Sequence, residues 1–441
     1  MTIVKKYDFC IIGGGISGLY CAKRLKELSP KTKCIVIEKE NRFGGRLKVS
    51  KLNGIEIMEG AGVGRMSKDK RLLALVKEMG LYTDSHNSMI DYASTLDIGS
   101  RSEGVKQIKS LLSELRSFTR SETFTLDMRH KYNFKMLARR VLGDDRYERF
   151  ENLCGFTDYK HADVIDTLFN YGFDDNYSDA GTKDTIVKIP WAKLIDALVK
   201  ENRDKNVGLK KGCLVTGVDT SQSKMSDKSH YNQKLYRITF HDYSTHEDIV
   251  IESSKLIIAT TIEPLLHLLP RSCMNDSIQG QLASQPFIRV YAHIDKKKSR
   301  QFIDKIETVT IVPNLLQKII PMSKERGVYM IAYSDNENAV RVYESLSEKN
   351  MEKYIRDALK IEEISIIKMK SFYWREGTHY FRPLSHEYKN RQAFLNQTLC
   401  PCDDKSVYLL GEGFSNNQGW TEGALERVDQ MFEMFEMFEI M

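Results

Sequence analysis

The stretch Asp8-Phe9-Cys10-Ile11-Ile12-Gly13-Gly14-Gly15-Ile16-Ser17-Gly18, followed by an acidic residue at Glu38, decides the fold. Apolar Phe9 to Ile12 read as a short buried strand. Gly13 permits a tight turn, Gly15 lets backbone approach a pyrophosphate, and Gly18 lets the next helix pack against the sheet. Ile16, Leu19, Tyr20, Leu25 and Leu28 mark that helix by their spacing. Its first turn, with Ile16 and Ser17, faces the anion. Lys33 to Glu38 read as a second strand, whose terminal carboxylate can accept both ribose hydroxyls, with Lys39 beside it. An isolated glycine triplet is weak evidence. Here strand, turn, helix, strand and acid follow in order, which predicts a bound dinucleotide without choosing between a flavin and a nicotinamide.

Composition sets the frame. The 441 residues suggest about two or three domains and a large core. A hydrophobic fraction of 41% fits an ordinary globular protein. The net charge of +6, from 66 basic and 60 acidic residues, comes with no dense basic stripe interleaved with aromatics, so nucleic acid is not an expected partner. Met1 to Tyr7 lead straight into the first strand, leaving no room for a cleavable signal peptide. No apolar run reaches the roughly eighteen residues of a membrane span. The expectation is a soluble, cytoplasmic protein. Eight cysteines are scattered, and the Cys400-Pro401-Cys402 pair lacks the second pair a zinc site needs. Free thiols and no metal are expected.

Along the chain, Leu47 to Met58 resemble a hairpin, Arg71 to Leu81 an amphipathic helix, and Ser102 to Phe156 a charged, mostly helical block. Strand patterns return at Thr185–Ile189, Val207–Val218, Leu235–His241 and Ile249–Thr261, with a helix at Trp191–Lys200 and a polar hairpin loop at Ser221–Gln233. Further strands are read at Ser284–Ile294, Thr308–Val312 and Gly327–Tyr333, and a helix at Met351–Ala358. The chain closes with a strand at Lys405–Leu410, a glycine turn and a helix from Gly423. The repeat Met431 to Glu439 has a period of three, which suits a frayed helix end or a docking tail.

Three separated motifs then converge. The N-terminal glycine turn, the run Arg42-x-Gly44-Gly45-Arg46, and Gly411-Glu412-Gly413 with Gly419-Trp420-Thr421-Glu422-Gly423-Ala424 resemble the flavin-containing amine oxidase family over nearly the whole chain. The resemblance implies an α/β fold: a Rossmann-like FAD-binding domain of the glutathione-reductase type, with an inserted mixed α+β substrate domain. It places residues 1–66, 186–265 and 400–441 in the first, and 67–185 and 266–399 in the second.

The resemblance also assigns cofactor-binding positions. Gly45 and Arg46 lie at the pyrophosphate, and Gly60, Ala61 and Gly62 lie in the next glycine-rich turn. Val215 would contact adenine through its backbone. Gly411 and Glu412 lie near the phosphate and ribityl chain, and Thr421 and Ala424 open a helix toward the isoalloxazine edge. Trp420 and Tyr380 resemble the two aromatic walls that enclose a substrate amine before the flavin. His379 stands where some members carry a cysteine joined to the flavin, although an exposed or core-satisfied histidine is the default. Many members place a lysine where this sequence has Arg289, whose permanently charged guanidinium cannot relay a proton. Arg289 could grip a substrate carboxylate, stabilise reduced flavin or fix its strand, and Lys318 is a second candidate for the missing lysine.

The function implied is oxidation of a small amine by hydride transfer to FAD, with O2 as acceptor and H2O2 as product. A flavin-dependent desaturase of an apolar substrate and a catalytically silent FAD-binding protein are the alternatives.

Overall fold

Strand Lys5–Ile12 carries the glycine turn at its end and lies inside a seven-stranded sheet. The computed structural model describes residues 4–171, 173, 184–222, 234–270, 273, 275–402 and 405–438. The sheet runs in the order Cys213–Gln222, Lys234–Asp242, Glu247–Ile258, Lys5–Ile12, Cys34–Glu38, Gly208–Lys211, with Val407–Leu409 also paired to Glu247–Ile258. Lys5–Ile12 is parallel to both neighbours, while the Cys213–Gln222 edge is antiparallel. Helices cover both faces, so its central strands are apolar on both sides. Phe9, Ile11, Val36 and Ile257 pack under helices Ile16–Leu28 and Thr421–Phe438; Cys10, Ile12, Ile35, Ile37, Leu256 and Ile258 point the other way.

A second, six-stranded sheet runs in the order Ile366–Phe381, Leu282–Ile294, Val328–Asp335, Lys318–Ser323, Val309–Ile311, Ile90–Tyr92. Helices Asn336–Glu344 and Glu348–Leu359 share its apolar cluster through Ala339, Val342, Met351 and Ile355. The charged helical block becomes the helices Arg101–Thr119, Leu126–Lys131, Phe134–Leu142, Asp144–Cys154 and Val164–Asn170, which close around Leu111, Leu112, Leu115, Phe134 and Phe150. Helix Lys70–Glu78 lies beyond the expected boundary at residue 66, yet Leu72, Leu75 and Val76 are buried with Ile16, Leu19 and Leu425 beside the first sheet.

Two readings change. The Met431 repeat is neither a frayed end nor a tail kept for docking over its described part: helix Thr421–Phe438 is continuous, and Met431, Phe432 and Phe435 are buried in this chain's own core. A three-residue repeat of two apolar positions supplies the i, i+1, i+4 contacts one helix face needs. Phe435 lies 5.2 Å from the Tyr408 ring and 6.1 Å from Phe9. Glu439 falls outside the described residues, as does most of the expected Ser221–Gln233 loop, although antiparallel strands flank it. The cysteines are not all free thiols. Cys402 pairs with Cys273, 129 residues away, rather than with its near neighbour Cys400. Sequence spacing cannot reveal a partner brought close only by folding. Among the described residues, no helix is long and apolar enough to cross a membrane.

Candidate cofactor and substrate site

The glycines of the turn divide by what surrounds them. Gly13 has φ +108°, and a Cβ there would lie 2.5 Å from the Ala259 carbonyl oxygen; at Gly18 it would lie 2.0 Å from the Gly13 oxygen. These two are needed for packing. A Cβ at Gly15 meets nothing within 4 Å, and Gly45, at φ +52°, approaches from the other side, its own Cβ direction 3.5 Å from the Gly15 Cα. Two bare stretches of backbone thus border open space at the start of helix Ile16–Leu28, whose N-cap Gly15 supplies no side-chain cap. Helix-initial N–H groups facing open space suit an anion. Ser17 donates to the Ala424 carbonyl at 3.4 Å, tying this helix to the C-terminal one.

Glu38 accepts from the Gly14 N–H at 2.7 Å and the Glu40 N–H at 2.8 Å. Burial pushes its carboxyl up, against the pull of these two donors. Lys39 beside it is exposed, its ammonium 4.0 Å from Glu40. Val215 is buried among Ile12, Ile37 and Phe240, where the pairing of its strand becomes irregular before Gly217.

Arg46 is partly committed within the protein. Its Nη1 donates to the Gly377 carbonyl and to Glu412 Oε1, each at 2.7 Å. Its own carbonyl receives the Ala61 N–H at 3.1 Å and would meet a Gly60 Cβ at 2.0 Å, so Gly60 and Ala61 form a tight turn against the arginine. Glu412 follows Gly411 (φ +116°) and is the centre of this knot: it accepts from Arg46, from His379 Nδ1 at 2.6 Å and from the Gly419 N–H at 2.7 Å. Burial would raise its pKa, but His379 and Arg46 outweigh that and hold it at about 2. His379 Nε2 accepts from the Ile262 N–H at 3.1 Å, which places the ring proton on Nδ1. Both ring nitrogens are therefore occupied by structural hydrogen bonds.

Beyond this knot lies a cavity of 1210 Å³ lined by Gly62, Trp420, Tyr380, Arg289 and Lys318, among others. Trp420 donates from Nε1 to Asp69 at 2.8 Å and meets Trp191 edge-on at 6.1 Å. Trp191 in turn donates to the Gly62 carbonyl at 2.7 Å. Thr421 and Ala424 are buried just behind Trp420. Tyr380 stands at the far end of strand Ile366–Phe381, 6.4 Å from the His161 ring, and burial pushes its hydroxyl up. The Arg289 guanidinium abuts Gly62, with Nη2 3.4 Å from where a Cβ would be. It lies 4.7 Å from the Tyr333 ring centre. Lys318 packs over Phe156 and Tyr333; burial pushes its ammonium down, against the pull of Asp335 and Asp158. The fold thus brings Arg289 and Lys318 to one cavity from two strands. Asp69, Trp191, Gln285 and Tyr333 also line or support it without a motif that would have marked them in the sequence.

Comparison with known proteins follows the same division. Residues 11–79 match the family model described as an NAD(P)-binding Rossmann-like domain. A flavin-containing amine oxidase of Oncorhynchus mykiss is 39% identical over 85 residues, 19% of this chain and 16% of that protein. Amine oxidase A of Equus caballus is 38% identical over 77 residues, 18% of this chain and 14% of its own. These matches span about one-sixth of the relatives' length. An uncharacterised protein of Acanthamoeba polyphaga mimivirus aligns over 96% of this chain and 92% of its own at 21% identity. Wild-type putrescine oxidase bound to putrescine superposes with a TM-score of 0.72 at 15% identity, covering 98% of this chain and 99% of that one. A redesigned double mutant of putrescine oxidase gives the same TM-score at 14% identity. The chain has the fold of these flavin amine oxidases and resembles that family in sequence.

Proposed function

We propose that this chain is an FAD-dependent oxidoreductase that oxidises a small amine, with O2 as electron acceptor and H2O2 as product. The observation that carries the reading is the open space beside Gly15, bordered by Gly45, with an aromatic cavity on the far side of the Arg46–Glu412 knot. A cradle whose packing glycines are filled and whose ligand-facing glycine is bare fits a dinucleotide. Bound there, FAD supplies the hydride acceptor.

The protein groups then have separate tasks. Backbone at Gly15, Ile16, Ser17 and Gly45 holds the pyrophosphate, with Arg46 adding positive charge. Glu38 serves the ribose and Val215 the adenine; Gly60, Ala61, Gly62, Gly411 and Glu412 shape the path between. Thr421 and Ala424 present the start of the C-terminal helix to the flavin edge. Trp420 and Tyr380 orient the amine and exclude water. Lys318 Nζ, held toward its neutral form by burial, is placed to take a proton from an incoming ammonium. We assign the first sheet to the cofactor domain and the second, with the helical block, to the substrate domain, adding helix Lys70–Glu78 to the former.

The experiment is direct. The purified protein should show a flavin spectrum, and anaerobic mixing with an amine should bleach it; air should restore the colour and release peroxide. Purification without flavin, with none bound on reconstitution, removes the basis of the proposal.

A further inference from the structure

The polar atoms left without partners in the cavity point to a substrate class. Arg289 is 4% exposed, yet its Nε has no hydrogen-bond partner among the described residues. Its polar neighbours are hydroxyls: Nη2 reaches Tyr333 at a long 3.5 Å, and the Tyr291 hydroxyl also acts on it. No carboxylate of the described residues lies within ion-pairing distance of it, and its flanks are the rings of Tyr333 and Phe287. A guanidinium buried without an anion is costly, and its fork geometry matches a carboxylate. On the same strand, Leu282–Ile294, Gln285 is also 4% exposed. Its Nε2 donates to the Asp158 carbonyl at 2.7 Å and to the Thr378 hydroxyl at 3.1 Å. The carbonyl can only accept, so the amide orientation is set and Oε1 remains a buried acceptor without a partner. Buried polar atoms are nearly always paired, so an unpaired donor and an unpaired acceptor on two residues that line one cavity call for a ligand that satisfies both.

We propose that the substrate carries a carboxylate beside its amine, as an α-amino acid does, with Arg289 holding the carboxylate and Gln285 Oε1 accepting from the amine. This rests on the amine-oxidation reading and narrows it. Arg65 adds positive charge to the same lining. The acids facing Lys318 are already engaged: Asp158 receives the Tyr171 hydroxyl, and Asp335 receives the Thr157 N–H at 3.4 Å. A diamine, positive at its far end, would place a second cation where Arg289 stands.

The test compares pairs that differ only by the carboxylate: ornithine with putrescine, phenylalanine with 2-phenylethylamine, leucine with 3-methylbutylamine. In anaerobic flavin reduction the amino acid of the preferred pair should exceed its amine by about 10- to 100-fold in rate over affinity, the factor a charge-assisted hydrogen bond carries. Arg289→Met should collapse that ratio, lowering rate over affinity for the amino acid by at least tenfold more than for the bare amine, and Arg289→Lys should retain part of it. On the wild type alone, 3-phenylpropanoate should perturb the flavin spectrum and raise the melting temperature where 3-phenylpropylamine does not.

Equal or better use of bare amines by the wild type overturns the proposal and leaves amine oxidation standing. So does an Arg289→Met variant that slows every substrate alike, because Arg289 then serves the flavin. Bound FAD that neither set of compounds reduces overturns the parent reading as well.

Discussion

Alanine at Gly15 and at Gly18 should have opposite consequences, although the two glycines belong to one motif. At Gly15 the backbone has φ −73° and ψ −175°, which alanine adopts freely, and the new methyl touches nothing within 4 Å. The apoprotein loses only glycine's advantage over alanine at an N-cap, up to about 1 kcal/mol. A stiffer unfolded chain offsets about 0.4–1 kcal/mol of that. Net stability should stay within about 1 kcal/mol of wild type. At Gly18 the methyl would sit 2.0 Å from the Gly13 carbonyl oxygen and 3.2 Å from Ile11 Cγ2. The oxygen is backbone and cannot rotate away, so helix and strand must separate, at about 1–3 kcal/mol or more.

Occupancy by FAD reverses the order. The Gly15 methyl then enters the space of the pyrophosphate, and an overlap of similar size weakens FAD binding about 10- to 100-fold. Urea unfolding of the two apoproteins, with FAD content and reconstitution titrations, measures both halves. A Gly15→Ala protein that binds FAD as wild type does, or whose apo form is as unstable as Gly18→Ala, refutes the reasoning.

Two further outcomes follow from the Glu412 knot and the aromatic wall. Glu412 is held at about 2 rather than 4.5, so its contribution to stability is fully present above the unfolded value and is lost as pH falls from about 5 toward 2, roughly 3 kcal/mol in all. Glu412→Gln should flatten that slope, so urea midpoints of the two apoproteins should differ at about pH 6 and converge as pH falls toward about 2; parallel curves would show that the pairing is energetically silent. Trp420→Ala should keep FAD and slow anaerobic reduction about tenfold by loosening substrate alignment; loss of FAD instead would assign Trp420 to holding Asp69 and Trp191.

Legibility in the sequence followed locality. The first forty residues could be read because each step of the motif is dictated by its neighbours: Phe9 to Ile12 are buried on both faces of a parallel strand, and Gly13 and Gly18 have no room for a side chain. Strand Ile366–Phe381 was harder to see because Arg375-Glu376-Gly377 breaks its apolar pattern. Gly377 is required there, since a Cβ would lie 2.3 Å from Phe287 Cδ1. The C-terminal repeat was misread for the opposite reason: its period is regular, but only the docking surface of Phe9 and Tyr408 shows which face it buries.

The chain's own order therefore determined the glycine turn, the acid at Glu38, most strands and helices, and the resemblance that located Trp420, Tyr380 and Arg289. These depend on contacts within a few residues or on motifs whose spacing is constrained by the ligand. Tertiary structure alone decided the rest. It paired Cys273 with Cys402, committed both nitrogens of His379, and bound Arg46 to Glu412 across 366 residues. It also left Arg289 Nε and Gln285 Oε1 unpaired in one cavity. Whether a buried polar atom has a partner depends on what distant segments bring to it, and no local pattern in a sequence encodes that.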